Sequence, residues 1–200
     1  MSYGTNAPWG LKPVRYADGS PWNGGYNQYN IASGYATSIY TGDPVATLAD
    51  GTIGIGVAGS ACRGVFLGCQ YMTTGGVYTF SPYWPASTTV QTGSTILANV
   101  ADDPNLVFDM QETNASGAAG TALALADRGK NINFYLGTGN TATGLSGASI
   151  DNASEDTTAT LNLKILDLTP KPGNVVGSFA NWLVAWNNHE FKGGTGTAGV

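Results

Sequence analysis

From residue 41 onward, apolar and polar positions alternate over short stretches separated by glycine-rich turns. Asp43-Pro44-Val45-Ala46 opens the first of them. Ile53, Ile55 and Val57 share one face of residues 52–57, residues 77–83 alternate likewise, and residues 95–100 follow. Leu106, Phe108 and Met110 form one face of the next stretch, with Asp109 and Gln111 on the other. Ile132, Phe134 and Leu136 repeat the pattern. A period of two is the signature of strands half buried in a sheet. Residues 64–72, GVFLGCQYM, are mostly apolar, which predicts a strand covered on both faces. Leu161, Leu163 and Ile165 alternate before Leu166 and Leu168 change face, and such a one-residue slip predicts a β-bulge. Many short strands between glycine-rich turns predict an all-β domain over residues 41–192, a sandwich or small barrel.

Four stretches do not read as plain strands. Residues 118–126, AAGTALALA, have the composition of a short helix. Residues 175–191 carry Phe179, Trp182, Leu183 and Trp186 at helical spacing, but Trp182, Val184 and Trp186 at strand spacing. Asn187-Asn188 sits poorly in a helix interior, so a loop and then a last strand from about Trp182 is the better reading. Residues 138–156 are rich in Gly, Ala, Ser and Thr and predict a long surface loop or hairpin tip. The uncharged tail 193–200, GGTGTAGV, offers little to pack and is expected to be flexible.

Residues 1–40 differ from the rest. They hold Tyr3, Trp9, Tyr16, Trp22, Tyr26, Tyr29, Tyr35 and Tyr40, together with Pro8, Pro13 and Pro21. The prolines favour extended chain and exclude both a long helix and a central strand. An extended, aromatic N-terminal arm cannot cover its own rings. It must lie either on its own domain or on a neighbouring subunit.

Charge narrows the function classes. Only 10% of residues are charged, with 8 basic against 13 acidic side chains and a net charge of −5. A nucleic-acid binder needs clustered Lys and Arg, so nucleic acid is not an expected partner. No apolar run approaches a membrane span, which sets the membrane aside as well, and no export signal is visible at the start. Cys62 and Cys69, if on one strand, would face opposite ways and could not bond to each other; two reduced, part-buried thiols are expected.

The residues for chemistry are sparse. His189 is the single histidine and is expected to be a packed or capping residue. Gly54-Ile55-Gly56-Val57-Ala58-Gly59 fits a dinucleotide-binding fingerprint in form only, because a strand pattern follows it and no acid stands at the required distance. Asp102, Asp103, Asp109 and Glu112 read as a solvated strand end, and Asp43 as a turn residue. Asn114-Ala115-Ser116 and Asn152-Ala153-Ser154 match a glycosylation sequon by chance. No catalytic residues, cofactor or metal site are therefore expected.

Several short motifs stand in a familiar order: NAPWGLKPVR (6–15), GSPWNG (19–24), SGYATSIYTGDPV (33–45), GVFLGCQY (64–71), FSPYWP (80–85), VADDPNLVFDMQ (100–111) and WLVAWNNHEF (182–191). They resemble the capsid decoration (cement) proteins of tailed bacteriophages and cyanophages, over all but residues 112–160. The resemblance implies a jelly-roll-like fold and a homodimer or homotrimer on the outer capsid surface of the virion. It also implies the major capsid protein as partner. Trp9, Leu11, Pro13, Val14, Arg15 and Trp22 are the expected contacts, since extended chain can add to a sheet edge and Trp and Arg anchor interfaces. The competing expectation is a carbohydrate-binding or adhesin-like β module, because exposed aromatic rings also stack on sugars; an enzyme of unfamiliar type is a third.

Overall fold

The computed structural model describes residues 4–200. In chain order the strands begin with β1 (Lys12–Tyr16), β2 (Asn27–Ile31), β3 (Ile39–Tyr40), β4 (Pro44–Thr47) and β5 (Ile53–Ile55). There follow β6 (Gly64–Met72), β7 (Tyr78–Ser81), β8 (Tyr83–Trp84), β9 (Ile96–Ala101) and β10 (Leu106–Thr113). The last are β11 (Asn131–Ile132), β12 (Phe134–Tyr135), β13 (Ser149–Asp151), β14 (Leu163–Leu168) and β15 (Asn181–Trp186). The chain is all-β, as its alternation requires.

Two sheets carry the architecture. One runs β11-β14-β15-β10-β13-β12, with β1 also on β10. The other runs β2-β9-β6-β4-β5, with β7 also on β6, and curls until it is nearly closed. The Ile55 N–H donates to the Tyr35 hydroxyl at 2.9 Å and helps seal that seam. β3 and β8 form a separate ribbon.

Each sheet has its own core, and β6 is the wall between them. Val65 belongs to the core of Leu106, Phe108, Met110, Trp182 and Trp186, whereas Phe66 belongs to that of Ile39, Val45, Ile53, Trp84 and Val100. Successive side chains of a strand point to opposite faces, so a strand between two cores must be apolar on both. That is why residues 64–72 read as a continuous apolar run. The predicted bulge is present in β14, where the register against β15 shifts between Ile165 and Asp167. The last strand begins at Asn181.

Of the two placements open to the N-terminal arm, residues 4–40 lie on their own domain: β1 lies on β10 and β2 on β9. Four expectations are corrected. Residues 138–156 are no surface loop, since β13 lies within them and Ser146, Ala148, Ser149, Ile150 and Asn152 are buried. The two serines tolerate burial there because each finds a partner: Ser146 donates to Asp43 at 2.5 Å, and the Ser149 and Thr113 hydroxyls share a bond at 2.5 Å. Residues 118–126 form no helix beyond one 3-10 turn at Leu125–Asp127. The tail is tied down through buried amides. Thr197 N–H donates to Asn187 Oδ1 at 3.0 Å, and the Asn131 amide donates to Thr197 O at 2.7 Å. Finally, of the four acids expected at a solvated strand end, Asp102, Asp109 and Glu112 are buried and Asp103 is half-buried; Gln111 is buried as well. The N-terminal segment does part of this covering, because Gln111 accepts from Ala7 N–H and donates to Thr5 O.

Candidate functional site

The N-terminal segment is positioned by its backbone. Gly10 N–H donates to Ala148 O at 3.0 Å and Leu11 N–H to Gly42 O at 2.9 Å. β1 then runs antiparallel to β10, pairing Lys12 with Asp109, Pro13 with Phe108 and Arg15 with Val107. Val14 is the extra residue of a bulge, and Pro13, which has no N–H to give, suits such an irregular outer strand. After the turn at Asp18-Gly19 the chain doubles back, and Trp22 N–H donates to Val14 O at 3.3 Å.

This path assembles a groove of about 630 Å³ lined by Trp9, Leu11, Pro13, Trp22, Leu67 and Leu145, with Lys12, Asp109 and Lys171 also on its walls. Lys171 holds Trp9 in place: its Nζ lies 5.1 Å from the Trp9 ring centroid and 3.8 Å from Asp109 Oδ2. Thr169 donates to the other Asp109 oxygen at 2.7 Å. The wall is thus mainly apolar, with the Lys171–Asp109 ion pair and the exposed Lys12 on it.

Four of the six expected contact residues, Trp9, Leu11, Pro13 and Trp22, therefore meet at one place. Val14 and Arg15 are not part of the groove; Arg15 Nη1 donates to Tyr16 O at 3.2 Å. Leu11, at 1% exposed, forms floor and core at once rather than a free anchor. The strand addition expected of this segment is made within the chain, on β10. Leu67, Leu145 and Lys171 escaped the sequence reading because they come from distant stretches, one of them taken for a surface loop.

The remaining polar residues hold the structure together. Asp43 accepts from Tyr40 N–H at 2.7 Å and from Ser146, and burial lifts its pKa to about 6. Glu112, fully buried, accepts from Leu123 N–H at 2.9 Å, and burial pushes it up to about 7. Asp102 accepts from the Asn27 amide at 2.9 Å and from the Tyr29 hydroxyl. Tyr29 is raised to about 12 by burial first and then by this hydrogen bond. His189 caps the 3-10 turn Glu190–Lys192 by accepting from Phe191 N–H at 3.1 Å, the packed capping role expected of it. Burial, then Lys192, lowers its pKa to about 4. Cys62 and Cys69 are free and buried, with thiols raised to about 12 by burial.

Among the described residues no three His, Cys, Asp or Glu side chains gather as a metal site would require. The glycine motif at 54–59 spans the end of β5 and a turn, with strand rather than helix after it. Among the described residues no helix is long and apolar enough to cross a membrane. Comparisons with family models, curated proteins and solved structures returned no match to this chain.

Proposed function

We propose that this chain is a structural, non-enzymatic protein that decorates the outer surface of a tailed-phage head and bridges neighbouring major capsid subunits. One observation carries the reading. The tryptophans of the two N-terminal motifs that resemble decoration proteins, Trp9 of NAPWGLKPVR and Trp22 of GSPWNG, line a single apolar groove with Leu11 and Pro13. Half-exposed tryptophans around an apolar recess are the usual anchors of a protein interface. Low charge favours packing on protein, because few charged groups must be desolvated there.

The mechanism is mechanical. Packed DNA pushes the shell outward, and a clamp bound across two subunits in their expanded arrangement adds its binding free energy against separation. An interface of standard size, about 1,600 Å², supplies several kcal/mol per copy, multiplied over the shell.

The test is decoration of heads lacking the protein, from the phage whose genome encodes the chain. Trp9→Ala/Trp22→Ala should bind such heads at least tenfold more weakly than the unaltered chain while its far-UV circular dichroism is unchanged. Mass spectrometry of purified particles that finds no copy of the chain sinks the reading.

A carbohydrate-binding role draws on a second recess, of about 660 Å³, which borders Trp9 and is lined by Asn6, Tyr135, Thr138 and Asn140 without a charged residue. Binding on a glycan array, lost in Tyr135→Ala, would favour that role.

A further inference from the structure

β7 is an edge strand without the usual protection. Its partner is β6, with Cys69 opposite Ser81, Gln70 opposite Phe80, Tyr71 opposite Thr79 and Met72 opposite Tyr78. Thr73 N–H donates to Val77 O at 2.9 Å, so hydrogen-bonded pairs fall at 73/77 and then, alternately, at 71/79 and 69/81. The backbone N–H and C=O groups of Thr79 and Ser81 are thereby used on β6. Those of Tyr78 and Phe80 point away from the sheet, and among the described residues nothing pairs with them.

The side chains at those two positions are also bare. Phe80 is 72% exposed, Tyr78 50% and the adjoining Val77 62%, and the two rings meet edge to face at 5.1 Å. Natural sheets guard such edges with lysine, proline or inward-pointing charge. Here no charged residue occurs anywhere from Gly64 to Ala101, and no proline lies within β7, although Pro82 directly follows it.

We infer that the β7 edge is a self-association surface whose occupant is β7 of a second copy, antiparallel across a two-fold axis at Thr79. The free groups are self-complementary in that register. Tyr78 of each copy faces Phe80 of the other, each such pair exchanges two backbone hydrogen bonds, and Thr79 faces Thr79 as a pair without them. The four aromatic rings fall on one face as cross-strand neighbours. A two-fold contact brings identical surfaces together, so a patch free of charge meets itself without repulsion although the whole chain is at −5.

The area fixes the strength. Fully covering an aromatic side chain buries about 150–250 Å², so the partly exposed rings and Val77 of both copies supply roughly 600–800 Å². That is below the ~1,200 Å² of the smallest stable complexes, which makes this a weak, reversible dimer favoured where copies are concentrated. It rests on the edge geometry alone and does not require the proposed place on a phage head.

The experiment uses the isolated chain. Sedimentation velocity should show a monomer moving toward a dimer as concentration rises. Phe80→Lys should weaken that association at least tenfold with an unchanged melting temperature, since the side chain it replaces is exposed. Facing residues in a pair without backbone hydrogen bonds lie within disulfide reach, about 4.5 Å between Cα atoms. Thr79→Cys should therefore form a disulfide-linked dimer on mild oxidation, far faster than Tyr78→Cys, whose facing residue is Phe80, or the exposed loop control Ser33→Cys. Cys62 and Cys69 are buried and do not compete. A chain monomeric at every concentration, a dimer indifferent to Phe80→Lys, or Thr79→Cys linking no faster than Ser33→Cys overturns the inference.

Discussion

Gly10 and Gly42 are in contact, and a Cβ added to Gly10 would stand 2.3 Å from the Gly42 carbonyl oxygen. The same carbonyl accepts the Leu11 N–H, and Gly10 itself has φ +79°. One close approach of two backbones thus aims both Trp9 and Leu11. Gly10→Ala should lower stability by ~3 kcal/mol or more, the left-handed backbone accounting for about 1–2 and the collision for the rest. Gly19→Ala, at φ +92° but with open space around it, should cost only about 1 kcal/mol. Denaturant midpoints of the two variants provide the comparison.

Glu112 should make the protein less stable as pH rises. Its carboxyl, pushed up to about 7 by burial, holds its proton in the fold at pH values where an unfolded chain, near 4.5, has lost it. The folded state binds more protons between those two values, so stability falls across that window and is lowest above it. Glu112→Gln keeps an acceptor for Leu123 N–H without the charge. The variant should match the wild type at pH 4 and exceed it by roughly 3 kcal/mol at pH 8. Equal stability at both pH values would remove the claim.

His189 acts in the opposite sense at lower pH. Its imidazole, lowered to about 4, stays neutral in the fold, while the unfolded histidine takes up a proton near 6.5. Its contribution is complete above the unfolded value and is lost as pH falls toward 4. Because the chain has 1 histidine, a single pair of imidazole proton resonances reports it. They should titrate near 4 in the native protein and near 6.5 in denaturant.

The two thiols should be inert in the native state. Both Cys62 and Cys69 are buried with pKa values raised to about 12, and the thiolate is the reactive form. A thiol reagent at pH 8 should label neither in the folded chain and both in denaturant. Prompt native labelling of Cys69 would show that β6 opens locally, and of Cys62 that its bridge to His189 does.

Much of the fold is legible in the sequence. The double-sided apolar run at 64–72, the bulge near Ile165 and the final strand through Trp182 are local patterns with one physical explanation each. The groove was half legible. Aromatic density pointed to Trp9 and Trp22, while Leu67, Leu145 and Lys171 carry no mark in the sequence. Asp109, Gln111 and Glu112 misled for a related reason. Alternation separates an apolar face from a polar one, yet it cannot show that chain from residues 4–9 and 169–181 will roof Asp109 and Gln111 with hydrogen-bonding partners, or that Glu112, on the same face as Met110, will be buried against Leu123 N–H. The segment 138–156 hides its burial in the same way, since serine and asparagine look like loop residues until a neighbour satisfies them.

By itself, then, the sequence determined the strand class and the two-sided burial of β6. It also determined the scarcity of charge that leaves little material for nucleic-acid binding. Side-chain periodicity is a local property, imposed by the geometry of an extended backbone, and it survives without knowledge of partners. Only the tertiary structure decided that β1 closes the edge of β10 while β7 leaves its own edge open, and that Trp9 and Trp22 share a groove. Those outcomes depend on which backbone groups are already paired by residues far away in the chain, and no local pattern carries that information.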